Sequence, residues 1–229
     1  MTAGDAMSAP YLAMLLADGR LPSGAHTQSA GVEPAFAHGM RLDQVPDYLT
    51  VRLRTVTAVE AAAAVVARHR WRAESDRRTS AMTEVDAAWR VRTLSDVLRN
   101  ASDSLGRSYL RTSGSVWPLD DLKGRQDGVW CRAVVLGAAT AEAGLAADEL
   151  VRLVAYEDVQ TVISAALKLQ PFDPSQAVIW AVRAEPEVER LVDHTAVLTA
   201  TEQIPAQGAP LIEEWGQRHE LVTRRLFRA

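Results

Sequence analysis

Lysine is almost missing from this chain: of 25 basic residues among 229, only Lys123 and Lys168 are lysines. No Gly-rich loop ending in Gly-Lys-Ser/Thr occurs, which excludes a P-loop nucleotide site, and no Gly-x-Gly-x-x-Gly follows a strand. The single cysteine, Cys131, cannot form an internal disulfide, and its expected place is that of a small buried side chain. No apolar run approaches the roughly 18 residues needed to cross a bilayer, and residues 1–9 lack the basic and apolar regions of a secretion signal. A cytoplasmic protein that does not enter membranes is the expectation. The five histidines, His26, His38, His69, His194 and His219, include no pair at i, i+4, so no metal site is expected. A formal charge of −4, with arginines alternating with acids, leaves no basic cluster for phosphate binding and argues against nucleic acid as a partner.

Aromatic residues are scarce as well, at 6% against 48% hydrophobic residues, so the apolar surface must come mainly from Ala, Val and Leu. Alanine and leucine are among the best helix formers. The fold class that follows is all-α, a single-domain helical bundle with flexible N-terminal and C-terminal segments: residues 1–9, a helical domain over 10–201 and a docking tail over 202–229. Tyr11 to Ala17 is apolar and stops at Asp18-Gly19-Arg20. A helix capped by the hydroxyls of Thr27 to Ser29, with Pro34 in its first turn, is expected to end near Gly39. Asp43 is the expected N-cap of one long helix carrying Val45, Leu49, Leu53, Val56, Val59, Ala63 and Val66 as a stripe, with Arg52, Arg54, Glu60 and Arg68 on its solvent face. Trp89, Leu94 and Leu98 suggest a further helix that continues or restarts through Leu105 to Leu110, in which Ser102, Ser104, Gly106 and Ser108 permit close approach of a neighbour. Thr112 to Gly128 is the candidate mobile connection. Val129–Ala143, Asp148–Gln170 and Pro174–Leu198 read as three more helices, and the apolar residues of Leu211 to Phe227 mark a tail that docks on something.

Two end blocks carry more information than the periodicity. LPSGAHTQSAGVE (Leu21–Glu33) resembles the Leu-Pro-x-Gly-Gly-aromatic-x-x-Ser-x-Gly-Leu-Glu signature of UreF, a family of urease accessory proteins, and RHELVTRRLFR (Arg218–Arg228) resembles that family's ending. A third segment, YEDVQTVISAALKLQPFDPSQ (Tyr156–Gln176), matches between them. The chain departs from the signature at Ala25, where the second glycine is usual, at His26, where an aromatic is usual, and more mildly at Val32 and Pro34.

The resemblance implies a non-enzymatic chaperone of urease maturation. Such a scaffold forms a homodimer, binds UreD (also called UreH), recruits the GTPase UreG and helps deliver nickel to apo-urease, with no cofactor and no catalytic residue of its own. Carried over residue by residue, it assigns partner binding to Pro22, Gly24, Ser29, Gly31 and Glu33, to Gln176, and to His219, Glu220, Arg225, Leu226, Phe227 and Arg228. Read physically, Glu33 is expected to anchor its loop and Glu220 to pair with Arg224, an i, i+4 neighbour. Nothing in the sequence indicates that the two carboxylates meet in space. Two other readings stay open at this point: a generic helical adaptor unrelated to urease, and a small helical enzyme whose site assembles from dispersed acids and histidines.

Overall fold

Small side chains set how closely the helices of this protein approach. In the computed structural model, which describes residues 8–18, 27–125, 127–219 and 226–227, helix α4 (Val56–Ala73) is buried all round over an unbroken run from Ala61 to Ala67 and packs most closely on α7 (Arg132–Ala143). A Cβ built on Gly137 would stand 2.5 Å from the Ala64 carbonyl oxygen and 2.6 Å from the Ala67 Cβ, so only glycine allows this crossing. Around α4 stand α3 (Val45–Arg54), α5 (Arg78–Arg90), α8 (Ala147–Leu169) and α9 (Pro174–Thr195). Helix α6 (Asp96–Ser113) packs on α7, where a Cβ on Gly106 would fall 2.1 Å from the Trp130 carbonyl oxygen. Ser102 accepts the Arg132 amide at 2.9 Å in the same crossing, so both small residues serve the close approach that the sequence suggests. Short α1 (Ala9–Ala17) and α2 (Val32–Ala37) lie against α8, and α10 (Pro210–His219) lies against α2 and α6. Among the described residues there is no β-strand, and no helix is long and apolar enough to cross a membrane.

The protein is all-α, but several expected details differ. The long stripe from Val45 to Val66 is two helices, broken at Thr55, whose φ of −124° and ψ of −90° are not helical. A run of β-branched residues at 55–57 crowds the backbone, and the Thr55 hydroxyl bonds back to the Val51 carbonyl at 2.7 Å. Asp43 belongs to a preceding 3₁₀ turn, Leu42–Gln44, and does not cap α3, whose N-cap is Gln44. Arg52 is buried and Glu60 half-buried, not in solvent as expected, because helical spacing puts both on the apolar stripe: Arg52 follows Val45 by seven residues and Leu49 by three, and Glu60 follows Val56 by four and precedes Ala63 by three. Helix α2 starts after Gly31, not at the hydroxyls of Thr27 or Ser29, and Pro34 does occupy its first turn. Leu94 sits in the exposed connection between α5 and α6. The Thr112–Gly128 stretch is held to the body: Leu119 and Leu122 are buried, Thr79 donates to the Asp121 carbonyl at 2.8 Å, and the Trp130 indole donates to the Leu122 carbonyl at 2.7 Å. Asp86 fastens the same region by accepting from Arg90, Arg125 and the Cys131 amide. Burial works against its ionised form, yet these donors outweigh it and hold the carboxyl below the usual range. Cys131 is buried, as its composition suggests.

Candidate functional site

The turn that leads into α2 is conformationally costly. Ala30 has a φ of 50° and Gly31 a φ of 79°, so two successive residues lie in the left-handed region, the first without a glycine's freedom. Such geometry persists only where surroundings over-determine it. Here the Ala30 carbonyl accepts from the Tyr48 hydroxyl at 2.6 Å and from the Arg52 guanidinium at 2.9 Å, both on α3. Gly31 is required twice over, since a Cβ there would lie 2.6 Å from the same Tyr48 oxygen.

Directly after the turn, Glu33 reaches the other end of the chain. Its two carboxylate oxygens accept the backbone amides of Leu226 and Phe227, at 2.6 and 2.9 Å. Hydrogen bonds to an ionised acceptor are among the stronger ones. Phe227 is buried and its ring lies 5.3 Å from the Lys168 ammonium of α8. Helix α10 closes over the same corner: Ile212 is buried near Gly31, and Trp215 stands 6.2 Å, ring to ring, from Tyr48. The C-terminal segment thus docks on its own domain, at the turn formed by the N-terminal block.

Behind the turn lies a cluster of buried charges. Arg52 grips Asp158 of α8 through two bonds, at 3.0 and 2.5 Å, while Thr57 donates to the same carboxylate at 2.8 Å. Burial opposes ionisation of Asp158, but Arg52 and Thr57 prevail and hold its carboxyl below the usual range. Glu157, next to Asp158 in sequence, pairs with Arg132 of α7 and accepts the Tyr109 hydroxyl, and Arg132 also touches Glu60 at 3.4 Å. Glu60 behaves oppositely: burial is the largest influence, exceeds the help from Arg132, and pushes its carboxyl above the usual range. Apart from Tyr109, these groups line a cavity of about 140 Å³ together with Gln28, Trp89, Arg92 and Glu213. The side-chain oxygens of Gln28 and Ser29 are buried without a partner among the described residues. The arrangement rigidifies a polar interior. Among the described residues no group of three or more His, Cys, Asp or Glu could hold a metal ion.

Of the residues singled out from the sequence, Ser29, Gly31, Glu33, Leu226 and Phe227 belong to this corner, with Ser29 buried and Leu226 exposed. Gln176 sits in the first turn of α9, where its backbone amide donates to the Asp173 carbonyl, and among the described residues no hydrogen bond joins it to the turn or tail. Pro22, Gly24, Glu220, Arg225 and Arg228 lie outside the described residues, as do Ala25, His26, Arg224 and the side chain of His219. Sequence reasoning missed Tyr48, Arg52 and Asp158. Asp158 stands inside the third matching segment, but its partner Arg52 is 106 residues away and reads as a surface charge.

Comparison with known proteins gives the family. The sequence model of the UreF family matches residues 42–185. The chain is 33% identical over 226 residues to the urease accessory protein UreF of Mycolicibacterium vanbaalenii, covering 96% of this chain and 99% of that protein. It is 34% identical to the urease accessory protein UreF of Mycobacterium sp. (strain JLS), over 93% of this chain and 96% of the relative. The protein of the same name from Mycobacterium tuberculosis is 31% identical over 229 residues, 96% of this chain and 99% of the relative.

Proposed function

Because the chain belongs to the UreF family of urease accessory proteins, whose name describes an accessory and not a catalytic role, we propose that it is a scaffold of urease maturation. In this reading it forms a homodimer in the cytoplasm and joins UreD (UreH) to the GTPase UreG, so that nickel reaches apo-urease. GTP hydrolysis belongs to the partner, in keeping with a sequence that has no phosphate loop. The observation that carries the proposal is the meeting of the two end blocks at Glu33, Leu226 and Phe227. A surface assembled from both ends of a chain, braced from below by Tyr48 and Arg52, presents a fixed shape to a partner. Gly31 and Glu33 then act by shaping this corner, and Leu226, exposed beside the buried Phe227, supplies an apolar contact at its surface.

Co-expression with UreD and UreG of the same organism, followed by size-exclusion chromatography with light scattering, tests the reading. The expected result is a stable complex containing all three proteins and two copies of this chain. Glu33→Ala should lose the complex while leaving the far-ultraviolet circular dichroism unchanged. A chain that elutes alone beside both partners overturns the scaffold proposal, and a Glu33→Ala variant that assembles normally removes the corner from it.

A further inference from the structure

Exposed arginines on this surface are commonly held by a carboxylate: Arg41 by Asp43, Arg54 and Arg190 by Glu187, Arg77 by Glu84. Arg107 and Arg111 are exposed and have no ion-pair or hydrogen-bond partner among the described residues. They stand four residues apart on α6, hence on one face and about 6 Å apart along the axis. With Lys123 they open onto a concavity of about 400 Å³, completed by Leu110, Gly114, Ser115 and Gly128. Among the described residues no carboxylate lines it. Lys123 has one exposed companion, Asp120, at 2.7 Å. The end of α6 does not employ the two guanidinium groups, because the amides of Gly114, Ser115, Val116 and Trp117 bond to the carbonyls of Leu110, Thr112 and Ser113. In a chain of net charge −4, this is a local reversal of sign.

We propose that this concavity docks an acidic protein segment that presents two carboxylates about one helical turn apart. Guanidinium groups are planar forks that match carboxylates with two parallel hydrogen bonds, and their spacing on α6 sets the spacing required of the partner. The alternative of a nucleic acid is disfavoured by extent: three cationic groups, with Asp120, Asp121 and Asp127 on the same connection, make too short a stripe to follow a phosphate backbone. The site shares no residue with the Glu33 corner or with the interior cavity.

The test is a titration of the full chain, labelled with nitrogen-15, with a helical peptide carrying glutamates at i and i+4. The arginine Nε signals and the fitted affinity are read at low and moderate salt. Expected results are movement of the Arg107 and Arg111 signals, an affinity at least tenfold weaker in the Arg107→Gln, Arg111→Gln double variant, and no response to the glutamine version of the peptide. A second double variant, Arg72→Gln with Arg183→Gln, removes two other exposed arginines that have no partner among the described residues and should bind as the parent does. Equal affinity in the first variant, or equal weakening in the second, overturns the proposal. So does a duplex DNA fragment or inorganic phosphate that moves the two signals at lower concentration than the peptide.

Discussion

Glu60 and Asp158 are two carboxyls in one cluster that burial and pairing drive in opposite directions. Asp158, doubly bonded by Arg52, has a lowered pKa. Its contribution to stability is present above the unfolded carboxylate value and is lost as pH falls through the lower folded one. Glu60 has a raised pKa, so its contribution is largest in acid and declines as pH rises from the unfolded value, about 4.3, through the higher folded one. Glu60→Gln removes the cost of ionising this buried group. Its stability relative to the parent should therefore increase between about pH 4 and pH 7, as measured by denaturant midpoints across that range. A difference that stays constant with pH would show that Glu60 titrates as an ordinary surface carboxyl. Neither role is legible in the sequence. Charge alone marks Arg52 and Glu60 as solvent-face residues, although both stand at helical spacing on the buried stripe, and the partners that hold them there, Asp158 and Arg132, come from helices far along the chain.

At the scale of elements the sequence was far more informative. Gly144, in the left-handed conformation, does end α7, and Pro174 does open α9, because each residue's backbone preference acts within a turn of where it stands. Breaks that depend on softer residues were less visible. Thr55 divides a hydrophobic stripe whose period is unbroken, and Leu94 fits the period of a helix it does not join. The small residues of α6 marked a close crossing correctly, and that crossing gives a clear test. Gly106→Ala would place a methyl group 2.1 Å from the Trp130 carbonyl oxygen, which forces α6 and α7 apart. Overpacking of this kind costs about 1–3 kcal/mol. At about 2–4 °C per kcal/mol for a chain of this size, a melting experiment should read a clear drop. An unchanged melting temperature would mean that the crossing can widen without loss.

For the whole molecule, the chief feature is the return of the chain to its beginning. Glu33 and Phe227 are 194 positions apart, and no local pattern encodes a contact of that range. The sequence marks both ends as informative and marks the tail as apolar enough to dock, but it does not say on what. Truncation after Gly208 removes Ile212, which lies beside Gly31, Trp215, which stands against Tyr48, and Phe227, whose amide binds Glu33. The helices around α4 bury their own core without these residues. The shortened chain should keep its helical dichroism, while hydrogen exchange at residues 27–33 quickens. Unchanged protection there would mean that the turn is self-supporting.

The way Glu33 holds the tail constrains heredity in an unusual place. Its carboxylate receives main-chain amides, which every residue except proline possesses. At position 226, where the side chain points to solvent, nearly any substitution leaves the grip intact and proline alone removes a donor. The clasp is thus indifferent to the identity of that side chain, leaving the exposed surface of the tail open to drift with whatever partner it meets.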